Sequence, residues 1–162
     1  MSNVIRVGMA DLNIVRAPDS IRTSGLGSCV GVCLYDPYTK IGGLAHVMLP
    51  SSELAREGEK NPAKYADTAI PTLIQLMEKA GARLQHFQAK LAGGAQMFAF
   101  SSTSDVMRIG PRNVEACKQQ LKLYRIPIVA EDTGGKFGRT IELFAEDGRL
   151  LIRTVNQGTK HV

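Results

Sequence analysis

Cys29-Val-Gly-Val-Cys-Leu-Tyr-Asp-Pro-Tyr-Thr-Lys-Ile-Gly-Gly-Leu-Ala-His46 reads as two short strands joined by a turn. Val30 to Tyr35 and Ile41 to Leu49 are the strands, rich in β-branched and apolar residues. Between them, Asp36-Pro37-Tyr38-Thr39 has Asp at the first and Pro at the second position of a type I turn. If these four residues close the hairpin, Tyr35 pairs with Lys40 and Cys29 falls directly opposite His46. Directly opposite side chains share a face, with Cβ atoms roughly 4.5–5.5 Å apart. A slip of one residue would put the two on opposite faces.

Upstream lies Thr23-Ser-Gly-Leu-Gly-Ser-Cys29, a glycine-rich turn ending in a thiol. Glycines let the backbone approach a substrate closely. Consecutive N–H groups in such a turn can converge on an oxyanion, and those of Gly27, Ser28 and Cys29 are the candidates. Only the thiolate attacks well, and a free thiol has a pKa near 8.5. A neighbouring imidazole raises the thiolate fraction and later protonates the leaving group. Cys29 and His46 therefore form a candidate nucleophile and base. Such a pair needs a third group to orient the ring. Thr23, Ser24, Ser28 and Asp36 are all close enough in sequence, and the residues alone leave the choice open.

Further out, Ala10 to Ala17 alternates weakly as a strand, and Ile21 to Thr23 leads into the glycine turn. Ser51 to Lys60 reads as an exposed polar loop. Asn61 fits an N-cap with Pro62 at the first helical position. Tyr65, Ala69, Leu73, Met77 and Ala80 follow at helical spacing, and Gly81 suits the stop. Pro71 inside that pattern predicts a kink or two abutting helices. Phe87 to Ala92 reads as a strand ending in Gly93-Gly94, and Ser101 to Asp105 as a loop. A second helix is expected over Arg112 to Tyr124, burying Val114, Cys117, Leu121 and Tyr124. Ile126 to Ala130 is a short strand, followed by a turn at Asp132-Thr-Gly-Gly135. Ile141 to Ala145 and Leu150 to Val155 form a second hairpin around Asp147-Gly148. The pattern gives about seven strands and two helices. It predicts two mixed or antiparallel sheets facing each other with helices outside, an α+β or layered α/β/β/α arrangement.

At 162 residues the chain is expected to be one domain, 1–162. No apolar run approaches the roughly 18 residues that span a bilayer. The N-terminus lacks the regions of a signal peptide, so the expectation is a cytoplasmic protein without membrane insertion. Three cysteines, an odd number without small-scaffold spacing, argue against a disulfide framework. Cys33, four residues from Cys29, raises a metal alternative with His46 and Cys117. That set matches zinc spacing poorly, so no metal or cofactor is expected. The net charge of +5 comes from dispersed Lys and Arg without a stripe, which excludes a nucleic-acid footprint.

Several segments together resemble CheD, the chemoreceptor glutamine deamidase family of bacterial chemotaxis. They are Thr23 to Cys29, Ala45-His-Val-Met-Leu-Pro50, Lys64-Tyr-Ala-Asp67, Ala89-Lys-Leu-Ala-Gly-Gly94 with Met97-Phe98, Ile109-Gly with Arg112-Asn113, and Glu131-Asp-Thr-Gly-Gly135. The resemblance spans nearly the whole chain. It implies a cysteine hydrolase of layered α/β/β/α fold, similar to deamidating bacterial toxin domains. By position it makes Cys29 the nucleophile, His46 the base and Thr23 the third member. It implies conversion of selected glutamines on the cytoplasmic helices of methyl-accepting chemotaxis receptors to glutamates, and in some members hydrolysis of glutamate methyl esters there. A second implied role is binding a CheC-type phosphatase and stimulating it. Nothing in the residues suggests obligatory oligomerisation, so a monomer is expected. The Ser-rich stretch Ala99 to Met107 has no residue-by-residue match.

Overall fold

The computed structural model describes residues 2–58, 61–96 and 108–162. Among them the chain forms ten strands and two α-helices. The strands of the first half are β1 (Val4–Arg6), β2 (Leu12–Arg16), β3 (Ser20–Leu26), β4 (Val30–Asp36) and β5 (Ile41–Val47). Helix α1 (Ala66–Lys79) precedes β6 (Gln88–Gly93), and α2 (Ile109–Leu123) precedes β7 (Ile128–Thr133), β8 (Arg139–Phe144), β9 (Leu150–Thr154) and β10 (Gly158–His161). The first sheet has the order β1-β3-β8-β9-β10 and the second β2-β5-β4-β6-β7. Each mixes parallel and antiparallel pairs. The expected loop over Ser101 to Asp105 and the stretch Ala99 to Met107 lie outside the described residues.

The two sheets face each other, as the apolar content of both hairpins predicts. Val15, Ile21, Leu26, Cys33, Leu44, Ile141, Leu143 and Ile152 fill the layer between them. The other face of the second sheet is covered by α1 and α2, where Val32, Ala45 and Val47 meet Ile70, Leu73, Met77 and Leu121. Burying one such aliphatic side chain is worth about 1.5–3 kcal/mol, so both faces of the second sheet contribute to stability. Its central strands, β4 and β5, are consequently buried at every residue. Glycines inside this hairpin allow the close approach. A Cβ at Gly31 would come within 2.5 Å of Ile141 Cδ1 in the opposite sheet.

The β4–β5 hairpin differs from the expected register. Asp36 pairs with Ile41, and Tyr35 with Gly42 rather than Lys40. The reason lies in the turn. The Lys40 N–H donates to Asp36 O at 2.9 Å, and the Tyr38 N–H to the Asp36 carboxylate at 2.9 Å. Lys40 takes φ of 55°. The loop is thus Pro37 to Lys40, one residue later than expected, a four-residue connection with Asp36 inside the strand. His46 therefore stands opposite Gly31, not Cys29. The displacement amounts to two residues along β4, which preserves the face.

Other differences are local. Asn61 caps a single 3-10 turn, Pro62–Lys64, and α1 begins afresh at Ala66. No helix boundary falls at Pro71, which lies inside the continuous α1; the break is earlier, at Tyr65, between the 3-10 turn and α1. Three strands, β1, β3 and β10, go beyond the seven expected. β3 was masked by Ser24 and Gly25, which read as a turn but form an irregularity between Thr23 and Leu26, with Gly25 at φ of 73°.

Candidate active site

Three segments meet at one corner of the sandwich. Thr23 is on β3 in the first sheet, and His46 is on β5 in the second. Gly27 to Cys29 carry the chain from one sheet to the other. Extending the β4–β5 ladder by one step puts Cys29, like Gly31 and Cys33, on the face between the sheets, where it is packed. His46 shares this face and is diagonal to Cys29 across the bare position of Gly31. Diagonal neighbours have Cβ atoms roughly 7 Å apart, within reach of an imidazole.

Thr23 crosses the gap between the sheets to meet the ring. Its Oγ1 lies 2.8 Å from His46 Nδ1. The same hydroxyl donates its only proton to Val7 O at 2.7 Å. Toward His46 it can therefore only accept, so Nδ1 carries the imidazole proton and Nε2 carries a lone pair. Nε2 is buried and has no hydrogen-bond partner among the described residues. The ring is fully buried and held in the tautomer of a general base. Of the other three candidates for orienting it, Ser24 is exposed, Ser28 is half-buried beside Cys29, and Asp36 caps the far end of the hairpin.

Burial acts on both members of the pair. Desolvation lowers the His46 pKa from its ordinary value. It also raises that of the Cys29 thiol, against an opposing hydrogen bond from the residue's own amide. Both shifts favour the neutral forms of thiol and imidazole, opposite in direction to the raised thiolate fraction expected from a neighbouring imidazole. The other thiols are further from reactivity: burial pushes Cys33 and Cys117 up to about 12. Cys33 lies between the sheets and Cys117 on the helix side of the second sheet, which separates the members of the metal alternative.

The Gly27–Cys29 segment is held by its carbonyls. Ala95 N–H donates to Gly27 O and Gly94 N–H to Cys29 O, both at 2.8 Å. Asn113 Nδ2 donates to Ser28 O at 3.0 Å and to Met48 O at 2.9 Å. In a trans peptide the N–H points opposite the preceding C=O. Holding Gly27 O and Ser28 O thus turns the Ser28 and Cys29 N–H groups away from the clamp. Gly27 N–H is spent on Gly25 O at 3.1 Å, which leaves those of Ser28 and Cys29 as the candidate donors. Gly93 is needed for this approach: a Cβ there would sit 2.2 Å from Cys29 O, and its φ is 110°.

Sequence reasoning named Asn113 and Gly94 within segments of the family resemblance without seeing that they hold the Gly27–Cys29 carbonyls, and it missed Ala95. The signal for Asn113 was its place on the stripe of Cys117 and Leu121, where a polar side chain is out of character. A cleft of about 450 Å³, lined by Asp132, Lys136, Arg139 and Lys160 among others, does not include Thr23, Cys29 or His46. It adjoins the site through Arg139, whose guanidinium donates to Gly93 O at 3.2 Å.

Residues 48–154 match the family model described as CheD chemotactic sensory transduction. The chain is 57% identical to the chemoreceptor glutamine deamidase CheD of Halalkalibacterium halodurans over 162 residues, covering 100% of both. It is 58% identical to the protein of the same name from Bacillus subtilis, over 98% of this chain and 96% of the relative. A crystal structure of a Neisseria meningitidis protein of the DUF152 family has a similar fold, with a TM-score of 0.54 at 12% identity. The similarity covers 82% of this chain and 64% of that one.

Proposed function

This chain belongs to the CheD family, and we infer that it deamidates glutamines of chemotaxis receptors through Cys29, His46 and Thr23. The observation that carries the mechanism is the hydrogen-bond chain from His46 Nδ1 through Thr23 to Val7 O. It commits Nδ1–H and leaves Nε2 as the base.

His46 Nε2 takes the Cys29 proton as Sγ attacks the side-chain amide carbon of glutamine. The carbonyl electron pair moves onto oxygen, which faces the Ser28 and Cys29 N–H groups. Collapse of this intermediate breaks the C–N bond, and the imidazolium returns its proton to the leaving ammonia. Water, deprotonated by Nε2, then hydrolyses the thioester to glutamate and restores the thiol. A glutamate methyl ester follows the same course with methanol leaving. Throughout, Nδ1–H stays on Thr23. The corner position of Cys29 suits a glutamine that projects from a receptor helix, and the net positive charge suits an acidic one.

The partners of this reading are the cytoplasmic helices of methyl-accepting chemotaxis receptors, met by a cytoplasmic, monomeric, one-domain protein. No described helix is long and apolar enough to cross a membrane. A role as stimulating partner of a CheC-type phosphatase is the second reading, and the intact thiol, imidazole and hydroxyl favour catalysis over it. The test is mass spectrometry of a receptor cytoplasmic fragment incubated with the protein or with Cys29→Ala. A gain of about 1 Da per site with the wild type alone, as thiol-dependent amide hydrolysis requires, supports deamidation. No gain with the wild type, together with phosphatase stimulation by both forms, moves the function to the second reading.

A further inference from the structure

Asn113 is fully buried in α2, four residues before Cys117 and eight before Leu121, where an aliphatic residue would pack. Its two amide protons go to two different parts of the site: Ser28 O, next to the nucleophile, and Met48 O, two residues after His46. The three carbonyls of the Gly27–Cys29 segment are not held alike. Those of Gly27 and Cys29 are fixed by backbone N–H groups of Ala95 and Gly94. The middle one, Ser28 O, is fixed by the Asn113 side chain. The Ser28–Cys29 peptide plane also carries the Cys29 N–H, which points opposite to Ser28 O.

We infer that Asn113 is a positioning residue that sets the oxyanion-binding orientation of the Cys29 N–H and ties it to the segment carrying His46. The inference rests on the thiol mechanism above, but not on the identity of the substrate. It separates two reactions of the same sulfur. With p-nitrophenyl acetate, Sγ bonds to the acetyl carbon through an oxyanion, p-nitrophenolate leaves with the C–O pair, and the thiol proton passes to His46. With iodoacetamide, Sγ displaces iodide from carbon, the thiol proton again passes to His46, and no oxyanion forms. A group that orients only the oxyanion donor affects the first reaction and spares the second.

The experiment compares the two rates at Cys29 in the full chain and in Asn113→Ala, with Cys29→Ala giving the background. Acylation is expected to fall roughly tenfold to a hundredfold, the lower part of the range for losing an oxyanion donor, with alkylation little changed. On a receptor fragment kcat falls in step with acylation while KM is unmoved. In Asn113→Asp, a carboxyl between two carbonyl oxygens has its pKa raised, and its protonated form regains one donor. The acylation-to-alkylation ratio of that variant therefore rises as pH falls, a recovery that serves as the test if Asn113→Ala fails to fold. A wild-type ratio in Asn113→Ala overturns the inference, as do equal losses in both reactions or an Asn113→Asp ratio without pH dependence. If the wild type modifies no receptor fragment while the ratio still shifts, the substrate reading fails and the positioning role stands.

Discussion

Thr23→Val tests the array at its most exposed assumption, that one hydroxyl both fixes a tautomer and joins two sheets. The replacement keeps the branched shape and removes the oxygen. Val7 O then loses a donor at 2.7 Å and His46 Nδ1–H an acceptor at 2.8 Å. Thr23 is 2% exposed and His46 0%, so water does not replace either partner. Each orphaned buried group costs about 1–3 kcal/mol. Two of them destabilise by ~2–4 kcal/mol after partial relaxation, and at this size that lowers Tm by roughly 5–15 °C. The catalytic loss is separate. Without its acceptor the ring no longer prefers Nδ1–H, and Nε2 is protonated in part of the population. General-base assistance is worth about 10²–10⁴ in rate, so a partial loss lowers kcat ~10–100-fold at temperatures where the variant is folded. Initial rates of receptor-fragment deamidation by mass spectrometry give kcat, and ¹⁵N NMR of the imidazole gives the tautomer. Thr23→Ser keeps both hydrogen bonds and stays within a few-fold of the wild type. A Thr23→Val protein with wild-type kcat, or with His46 still wholly Nδ1-protonated, refutes the reasoning.

The direction of the His46 shift fixes a pH dependence. Its folded pKa lies below the ordinary value near 6.5, so deamidation holds as pH falls through 6.5 and declines only at more acid pH. Folding stability is untouched by this group above 6.5. It is lost as pH drops from 6.5 through the folded value, because the unfolded chain takes up a proton that the folded chain resists; urea titrations at a series of pH values measure the slope. Iodoacetamide alkylation of Cys29 rises with a midpoint above the ordinary thiol range, matching its raised pKa; a plateau extending to pH 6 would reveal a resting ion pair instead. At neutral pH peptide mapping finds the label on Cys29, with Cys33 and Cys117 modified only after unfolding, since both are pushed up to about 12. Gly93→Ala forces a carbon against Cys29 O and costs activity and stability together, whereas Gly158→Ala, with nothing within 4 Å, costs only the ~1–3 kcal/mol of a strained φ; equal Tm losses in the two would argue against a tight contact at Gly93.

Local signals carried much of this fold. Both hairpins, the helix stop at Gly81 and the facing sheets follow from turn residues and apolar periodicity. The register of β4–β5 did not, because the Asp36 side chain and carbonyl both serve the turn and draw it one residue later. The face shared by Cys29 and His46 survived because a displacement of two residues keeps the parity of a strand. β10 was hidden by composition: Gly158 to His161 are all exposed on a sheet edge and carry no apolar pattern. In the site, spacing within one hairpin put Cys29 and His46 on one face, though not directly opposite each other. Thr23 was one of four open choices, since its role depends on packing between sheets that no local pattern encodes. Asn113 stood out as a polar residue on an apolar helix stripe, but its partner Ser28, eighty-five positions away, was not legible for the same reason.

The bridge between Thr23 and His46 also ties the site to the order of the chain. Thr23 sits on a strand whose antiparallel neighbour is β8, with Thr23 itself paired to Ile141. During synthesis the hairpin holding Cys29 and His46 emerges long before Arg139 to Phe144. Until that later strand arrives, β3 lacks its antiparallel neighbour in the first sheet and Thr23 its partner Ile141. The Thr23–His46 bridge therefore joins two sheets whose strands come from both halves of the chain, so its geometry depends on the assembled sandwich rather than on the local hairpin.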